Sequence, residues 1–396
     1  MKIGILTQPL HLNYGGLLQA WALQQTLVEM GHKAIIINRI IEKNDRPFSW
    51  HRFAYDIKKE LLILLGKRKR HITVTEDLRK LSEQNVRLFK AERYLGISPD
   101  LHSNDELKQY VEIENFDAYV VGSDQVWRPR YSPNLMTYFL NFVKDRTDIK
   151  RVAYAASFGV DIWEFTQSET NEAKKLLPMF DVITVRETSG IDLVKKYLNC
   201  NASQVLDPTM LRSKKDYLNL INNSTIKLHK SSGELFCYIL NNSSEVCRII
   251  ENCKNNTGLI PFTCNCEIPY DQLTTDDDKQ KCIVPPVEQW LKSFNDAKMV
   301  ITDSFHGTVF SIIFNKPFWI IINNGRGAAR FHSILTQFGL ENRIIQSTDH
   351  INWNTTIEWD IVSKKLNEWS YKSKDILNIL NSEYSSKSNS EKRLDL

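Results

Sequence analysis

The sequence predicts an α/β protein built from two Rossmann-like, doubly wound domains that face each other across a cleft. Three observations lead there. The 396 residues exceed what one ordinary core accommodates. Apolar runs of strand length alternate with stretches of helical periodicity, first in one half of the chain and then again in the other. Several of those runs end in loops of small and polar residues, where parallel sheets collect their ligands.

In the first domain, residues 1–203, the apolar run 3–7 reads as a strand. Asn13-Tyr14-Gly15-Gly16 reads as a turn, 17–30 as a helix stopped by Gly31, and 34–37 as the next strand. Strands apolar throughout are covered on both faces. The charged stretch 45–115 reads as mostly helical, and 119–121, 152–156 and 182–185 as further strands. Leu206-Asp207-Pro208-Thr209 reads as a hinge. In the second domain, residues 204–350, strands are expected at 235–240, 299–302 and 318–322, and helices at 243–255, 286–295 and 305–314. Residues 351–396 are expected to give a helix, near 360–382, that packs back on the first domain, followed by a frayed Ser-rich tail.

A formal charge of +4, from 51 basic and 47 acidic residues, argues against a nucleic-acid binder and leaves room for a local basic pocket. Met1-Lys2 runs straight into an apolar strand with no cleavage region behind it, and no apolar run is long enough for a bilayer span, so a cytoplasmic location is expected. Within residues 52–70, Phe53, Ile57, Leu61 and Leu64 share one helical face, and Lys67-Arg68-Lys69-Arg70 follow. That pattern fits a core-packed helix with a solvated basic end, or a helix lying on the anionic inner face of a membrane. Seven cysteines do not make a disulfide framework. Cys253, Cys264, Cys266 and Cys282 lack the paired CxxC spacing of a zinc ribbon, so neither a metal nor another cofactor is expected.

Four strand-end loops carry candidate chemistry. Gly15, beside Asn13 and Tyr14, permits close backbone approach, as would any tight turn. Gly122-Ser123-Asp124-Gln125-Val126-Trp127 offers a carboxylate for sugar hydroxyls and an indole for a pyranose face, or else a helix cap and a core Trp. Arg186 can clamp an anion or pair with a neighbouring carboxylate. In Thr302-Asp303-Ser304-Phe305-His306-Gly307, Asp303 or Ser304 can cap the next helix, and His306 falls in its first turn as either an acid/base group or a structural residue.

These segments resemble the polysaccharide pyruvyltransferase family. The text that carries the resemblance is KIGILTQPLHLNYGGLLQAWAL, FDAYVVGSDQVWRP, VAYAASFG, VITVRETSG, VLDPTM and VITDSFHGTVFSIIFNKPFWII, spanning residues 1 to about 345. The resemblance implies a GT-B-like fold, phosphoenolpyruvate as donor, a sugar or lipid-linked oligosaccharide as acceptor, and a cyclic pyruvyl ketal as product. It places His306 and Arg186 at the site. Many members carry an arginine two residues before that histidine, where this chain has Ser304. The loop Gly325 to Arg330 is expected to supply the missing charge, with Arg330 preferred over Arg326. On this reading His306 and Asp124 are catalytic, Arg186, Arg330, Ser304 and Gly15 hold the donor, and Asn13, Tyr14 and Trp127 hold the acceptor. A GT-B glycosyltransferase using a nucleotide sugar and a non-catalytic glycan-assembly protein remain as alternatives.

Overall fold

A computed structural model describes residues 1–40, 71–132, 134–322, 327–345 and 351–382. The amphipathic stretch 52–70, Arg326 and the tail from 383 lie outside the described residues.

The first sheet has six parallel strands, β1 (Lys2–Leu6), β2 (Lys33–Ile37), β3 (Ala118–Val121), β4 (Lys150–Ala156), β5 (Val182–Val185) and β6 (Ser203–Gln204), in the order β2-β1-β3-β4-β5-β6. Every residue of β3 and β4 is buried, as a sheet covered on both faces requires. Helix α1 (Tyr14–Glu29) begins earlier than the expected turn allows. The Leu17 amide already donates to the Asn13 carbonyl at 2.9 Å, so both glycines belong to the first helical turn. The charged stretch contains α2 (Glu76–Ser82), α3 (Gln84–Arg93) and α4 (Asn104–Glu114). Thr75 and Ser103 cap the first and third of these through their hydroxyls. Helices α5 (Gln167–Leu176) and α6 (Thr188–Leu193) complete this part.

The second sheet has four parallel strands, β7 (Leu235–Tyr238), β8 (Pro261–Phe262), β9 (Met299–Thr302) and β10 (Phe318–Ile320), in the order β10-β9-β7-β8. Around it lie α7 (Lys214–Asn222), α8 (Ser244–Thr257), α9 (Val287–Asp296), α10 (Phe305–Ile313) and α11 (Ala328–Phe338). Strand β8 has two residues, too few for any periodicity to announce it. Every residue of α10 is buried, and its Phe310 meets Tyr217, Trp290 and Phe294 at centroid distances of 4.9, 5.0 and 5.8 Å. A helix apolar on all sides belongs inside a core. On the last helix, α12 (Trp359–Ile376), the Ser373 hydroxyl oxygen accepts from the Leu206 amide at 3.0 Å, and beyond the helix the Ile379 carbonyl accepts from Lys150 Nζ at 2.7 Å. Among the described residues no helix is long and apolar enough to cross a membrane.

The two sheets share a winding pattern. In each, the first strand sits between the next two in sequence, with β1 flanked by β2 and β3, and β7 by β8 and β9. The direction of winding reverses there, which opens a crevice at the carboxyl ends of the strands.

Candidate active site

The two crevices meet. Gly15, at the start of α1, lies so close to His306, at the start of α10, that a Cβ there would sit 2.2 Å from the imidazole Cγ. Gly327, at φ 88°, comes equally near the loop after β4, where an added Cβ would lie 1.8 Å from the Gly159 carbonyl oxygen. Only glycine permits these approaches.

Asp207, just past β6, is fully buried at the centre of this seam. It accepts from Arg186 Nη1 at 2.8 Å, Ser123 Oγ at 3.2 Å, and the Thr209 amide and hydroxyl at 3.0 and 2.7 Å. His306 Nε2 lies 3.7 Å from its Oδ2, an electrostatic contact rather than a hydrogen bond. Burial opposes charge on Asp207, yet His306, Arg186 and the Thr209 hydroxyl together hold its carboxyl well below the usual range. The sequence reading gave this residue only a hinge. Its position past the last strand of a parallel sheet is the signal that could have found it.

Arg186 follows β5 and is also buried. Besides Asp207 it reaches Asp124 Oδ1 at 3.4 Å, with Glu187 Oε2 at 3.9 Å. Burial works against its charge, and Asp124, Asp207 and Glu187 outweigh that penalty, so its pKa is raised. Of the two sequence readings, the ion pair describes this arrangement. Glu187 fastens the loop after β4 by accepting at Oε1 from Ser157 Oγ and the amides of Phe158 and Gly159, at 2.8, 3.0 and 3.2 Å. Asp124 stands at φ 69°, a left-handed backbone that Asp tolerates better than most residues.

Ser304 is the helix cap of α10, accepting from the Gly307 amide at 3.3 Å. Asp303 instead ties down the chain after β7, accepting from the amides of Leu240 and Asn241 at 2.7 and 2.9 Å. Arg330 sits in the first turn of α11, not in a loop. Its guanidinium carbon is 5.9 Å from the centroid of the Phe305 ring, and that of Arg186 is 4.2 Å from the same ring. Burial and the neighbouring charge of Arg186 push the Arg330 pKa down to about 10. A third arginine, missed in the sequence, contributes to the same field: Arg128 pairs with Glu164 at 3.0 Å and donates to Gln125 at 3.0 Å.

Two acceptor assignments are corrected. Trp127 is fully buried, stacked on Phe139 with centroids 5.2 Å apart, and its Nε1 donates to the Tyr138 carbonyl at 3.1 Å. It has no face to offer a sugar. Tyr14 is 5% exposed, its ring packs on Trp290 and its hydroxyl donates to the Pro285 carbonyl at 2.8 Å, so it joins the two halves of the molecule. Asn13 stays exposed at the start of α1. Gly15 serves by its missing side chain, leaving room for His306. Among the described residues no group of three or more His, Cys, Asp or Glu side chains is arranged to hold a metal ion.

The assembly is therefore a buried carboxylate joined to a guanidinium and an imidazole, with a second guanidinium beside it. It can bind an anion and move a proton. The family model described as Polysaccharide pyruvyl transferase matches residues 13–325. The chain belongs to this family. Every seam residue described above lies inside the matched span except Gly327, Arg330 and the rest of α11, which follow its end. No curated protein matches the chain. Among solved structures, it is similar to the UDP-GlcNAc 2-epimerase of Methanocaldococcus jannaschii at 12% identity and TM-score 0.46, over 96% of this chain and 99% of that one. The UDP-GlcNAc 2-epimerase of Neisseria meningitidis matches at 8% identity and TM-score 0.45, over 96% and 94% of the two chains. A UDP-glucosyltransferase of Polygonum tinctorium matches at 10% identity and TM-score 0.49, over 96% and 99%.

Proposed function

We propose that this member of the polysaccharide pyruvyl transferase family moves the pyruvyl group of phosphoenolpyruvate onto a hexose of a surface polysaccharide, or its lipid-linked precursor, as a cyclic ketal. The observation that carries the reading is the buried seam that unites His306, Asp207, Arg186 and Arg330 in a chain of this family. Phosphoenolpyruvate brings a phosphate and a carboxylate, which call for fixed cations in a dry site. Arg330 is buried beside Arg186, and burial and that neighbouring charge lower its pKa, so a donor anion placed against it offsets both. Arg186 has carboxylate partners already and holds Asp207 and Asp124 in place.

In the first step an acceptor hydroxyl adds to C2 of the enol phosphate while C3 gains a proton. His306 takes the hydroxyl proton or supplies the one to C3, and Asp207 stabilises the charged imidazole. A second hydroxyl then displaces phosphate at C2 to close the ketal, and its proton leaves with the phosphate. Asp124, paired with Arg186, orients the acceptor hydroxyls. The amides at the start of α10 and Ser304, which caps that helix, border the phosphate.

The test is mass spectrometry of candidate lipid-linked oligosaccharides incubated with phosphoenolpyruvate. A gain of about 70 mass units with release of phosphate is expected for pyruvate less water. Hexose addition from a UDP-sugar, with no response to phosphoenolpyruvate, overturns the reading.

A further inference from the structure

A cavity of about 500 Å³ lies away from the buried seam, at the carboxyl end of β8. Phe262 ends that strand, and Thr263 to Glu267 continue it along one wall. The opposite walls come from the chain before β7, Ile226 to Ser232, and from Pro285 and Pro286 at the start of α9. Tyr14 and Gly15, consecutive residues of α1, link its wall to the seam. Pro285 accepts from the Tyr14 hydroxyl, and Gly15 lies against His306.

The lining is chemically one-sided. Lys227, Lys230 and Lys281 stand there against a single carboxylate, Glu267. Lys281 is paired with Asp278 at 2.7 Å, but among the described residues no ion pair occupies Lys227 or Lys230. The side chains of Asn265, Gln280 and Thr263 line the same space without a hydrogen bond to the rest of the described chain. Amides and hydroxyls of this kind match sugar hydroxyls, and two uncommitted ammonium groups match a negative charge. We infer that this cavity is an acceptor subsite for an anionic saccharide, with Lys227 and Lys230 holding a phosphate or carboxylate and Asn265 and Gln280 holding ring hydroxyls. The role as acceptor subsite rests on the pyruvyl-transfer reading, while binding itself is measured without phosphoenolpyruvate.

The experiment titrates the full chain by calorimetry with glucose 1-phosphate, methyl glucuronoside and methyl glucoside. The anionic probes are expected to bind about tenfold or more tightly than the neutral one, and whichever of the two binds better identifies the charged group. Lys227→Ala combined with Lys230→Ala should lose about tenfold or more of that affinity, and Asn265→Ala should weaken all three probes. Both lysines are exposed, so the melting temperature should not change. Equal affinity for charged and neutral sugars, no binding of either anionic probe, or undiminished affinity in the double variant overturns the inference. A parallel phosphoenolpyruvate titration separates the two claims. Its failure removes the donor reading alone, and intact donor binding with unaltered saccharide binding in the double variant removes the subsite alone.

Discussion

The loop after β3 and the loop after β9 look alike in sequence. Each follows a buried strand, and each carries a serine, an aspartate and an aromatic residue. In the folded molecule they divide those parts in opposite ways. After β3 the aspartate, Asp124, turns to the seam and meets Arg186, while Trp127 enters the core beneath Phe139. After β9 the aspartate, Asp303, is occupied by two backbone amides, and the aromatic residue, Phe305, lies at the seam beneath two guanidiniums. A polar side chain at a strand end goes first to whatever backbone donor has no other partner. The chain after β7 leaves such donors within reach of Asp303. Among the described residues no backbone amide donates to the Asp124 carboxylate, which pairs with Arg186 instead.

The comparison can be broken most sharply at His306. His306→Ala should lower turnover by about 10²–10⁴-fold while phosphoenolpyruvate affinity is retained, read by single-turnover kinetics beside a donor titration. Full activity in this variant would return the loop after β9 to a purely structural role. Asp207, which both loops face, comes next. Asp207→Ala strands Arg186 with fewer carboxylates and should cost about 3–5 kcal/mol in chemical denaturation. Its pH signature has a definite sign. A carboxyl held below its unfolded value contributes stability that is fully present above about pH 4 and is lost as pH falls towards the folded value. The native protein should therefore lose stability steeply below about pH 4, and the variant should lack that part of the loss.

Trp127 tests the other loop. Trp127→Ala should destabilise the fold by about 3–5 kcal/mol through the cavity it leaves, with the remaining folded protein binding acceptor as before. Weaker acceptor binding at unchanged stability would restore the sugar-stacking role denied to it by burial. The smallest effect is expected at Arg330. Arg330→Met should weaken phosphoenolpyruvate binding by roughly ten- to a hundredfold, from the loss of about 1.5–3 kcal/mol in a charge-assisted contact. A fall in melting temperature with unaltered donor affinity would make Arg330 a structural cation.

Much of the fold was legible because its signals are local. The continuous apolar runs at β3, β4, β7 and β9 and the periodicity of α8, α9 and α10 depend on neighbours a few residues away. Helix α1 was misread at its start, because two glycines suggest a turn when only the hydrogen bond from Leu17 to Asn13 shows that the helix has begun. Strand β8 was missed for want of length.

The site divides along the same line. Local patterns along the chain establish that two parallel α/β units exist, that loops at their strand ends bear Asp124, Arg186 and His306, and that the chain resembles one transferase family. Only the tertiary structure decided which of those residues meet. Asp207 and His306 are far apart in the chain, and their approach depends on Gly15 giving up a side chain in a third segment. Trp127 and Tyr14 were excluded from the acceptor site by burial, a property of packing between segments that no local pattern encodes. The physical reason is range: secondary structure answers to hydrogen bonds and periodicity within a few residues, whereas a buried charge network is set by which distant groups can satisfy one another in a low-dielectric interior.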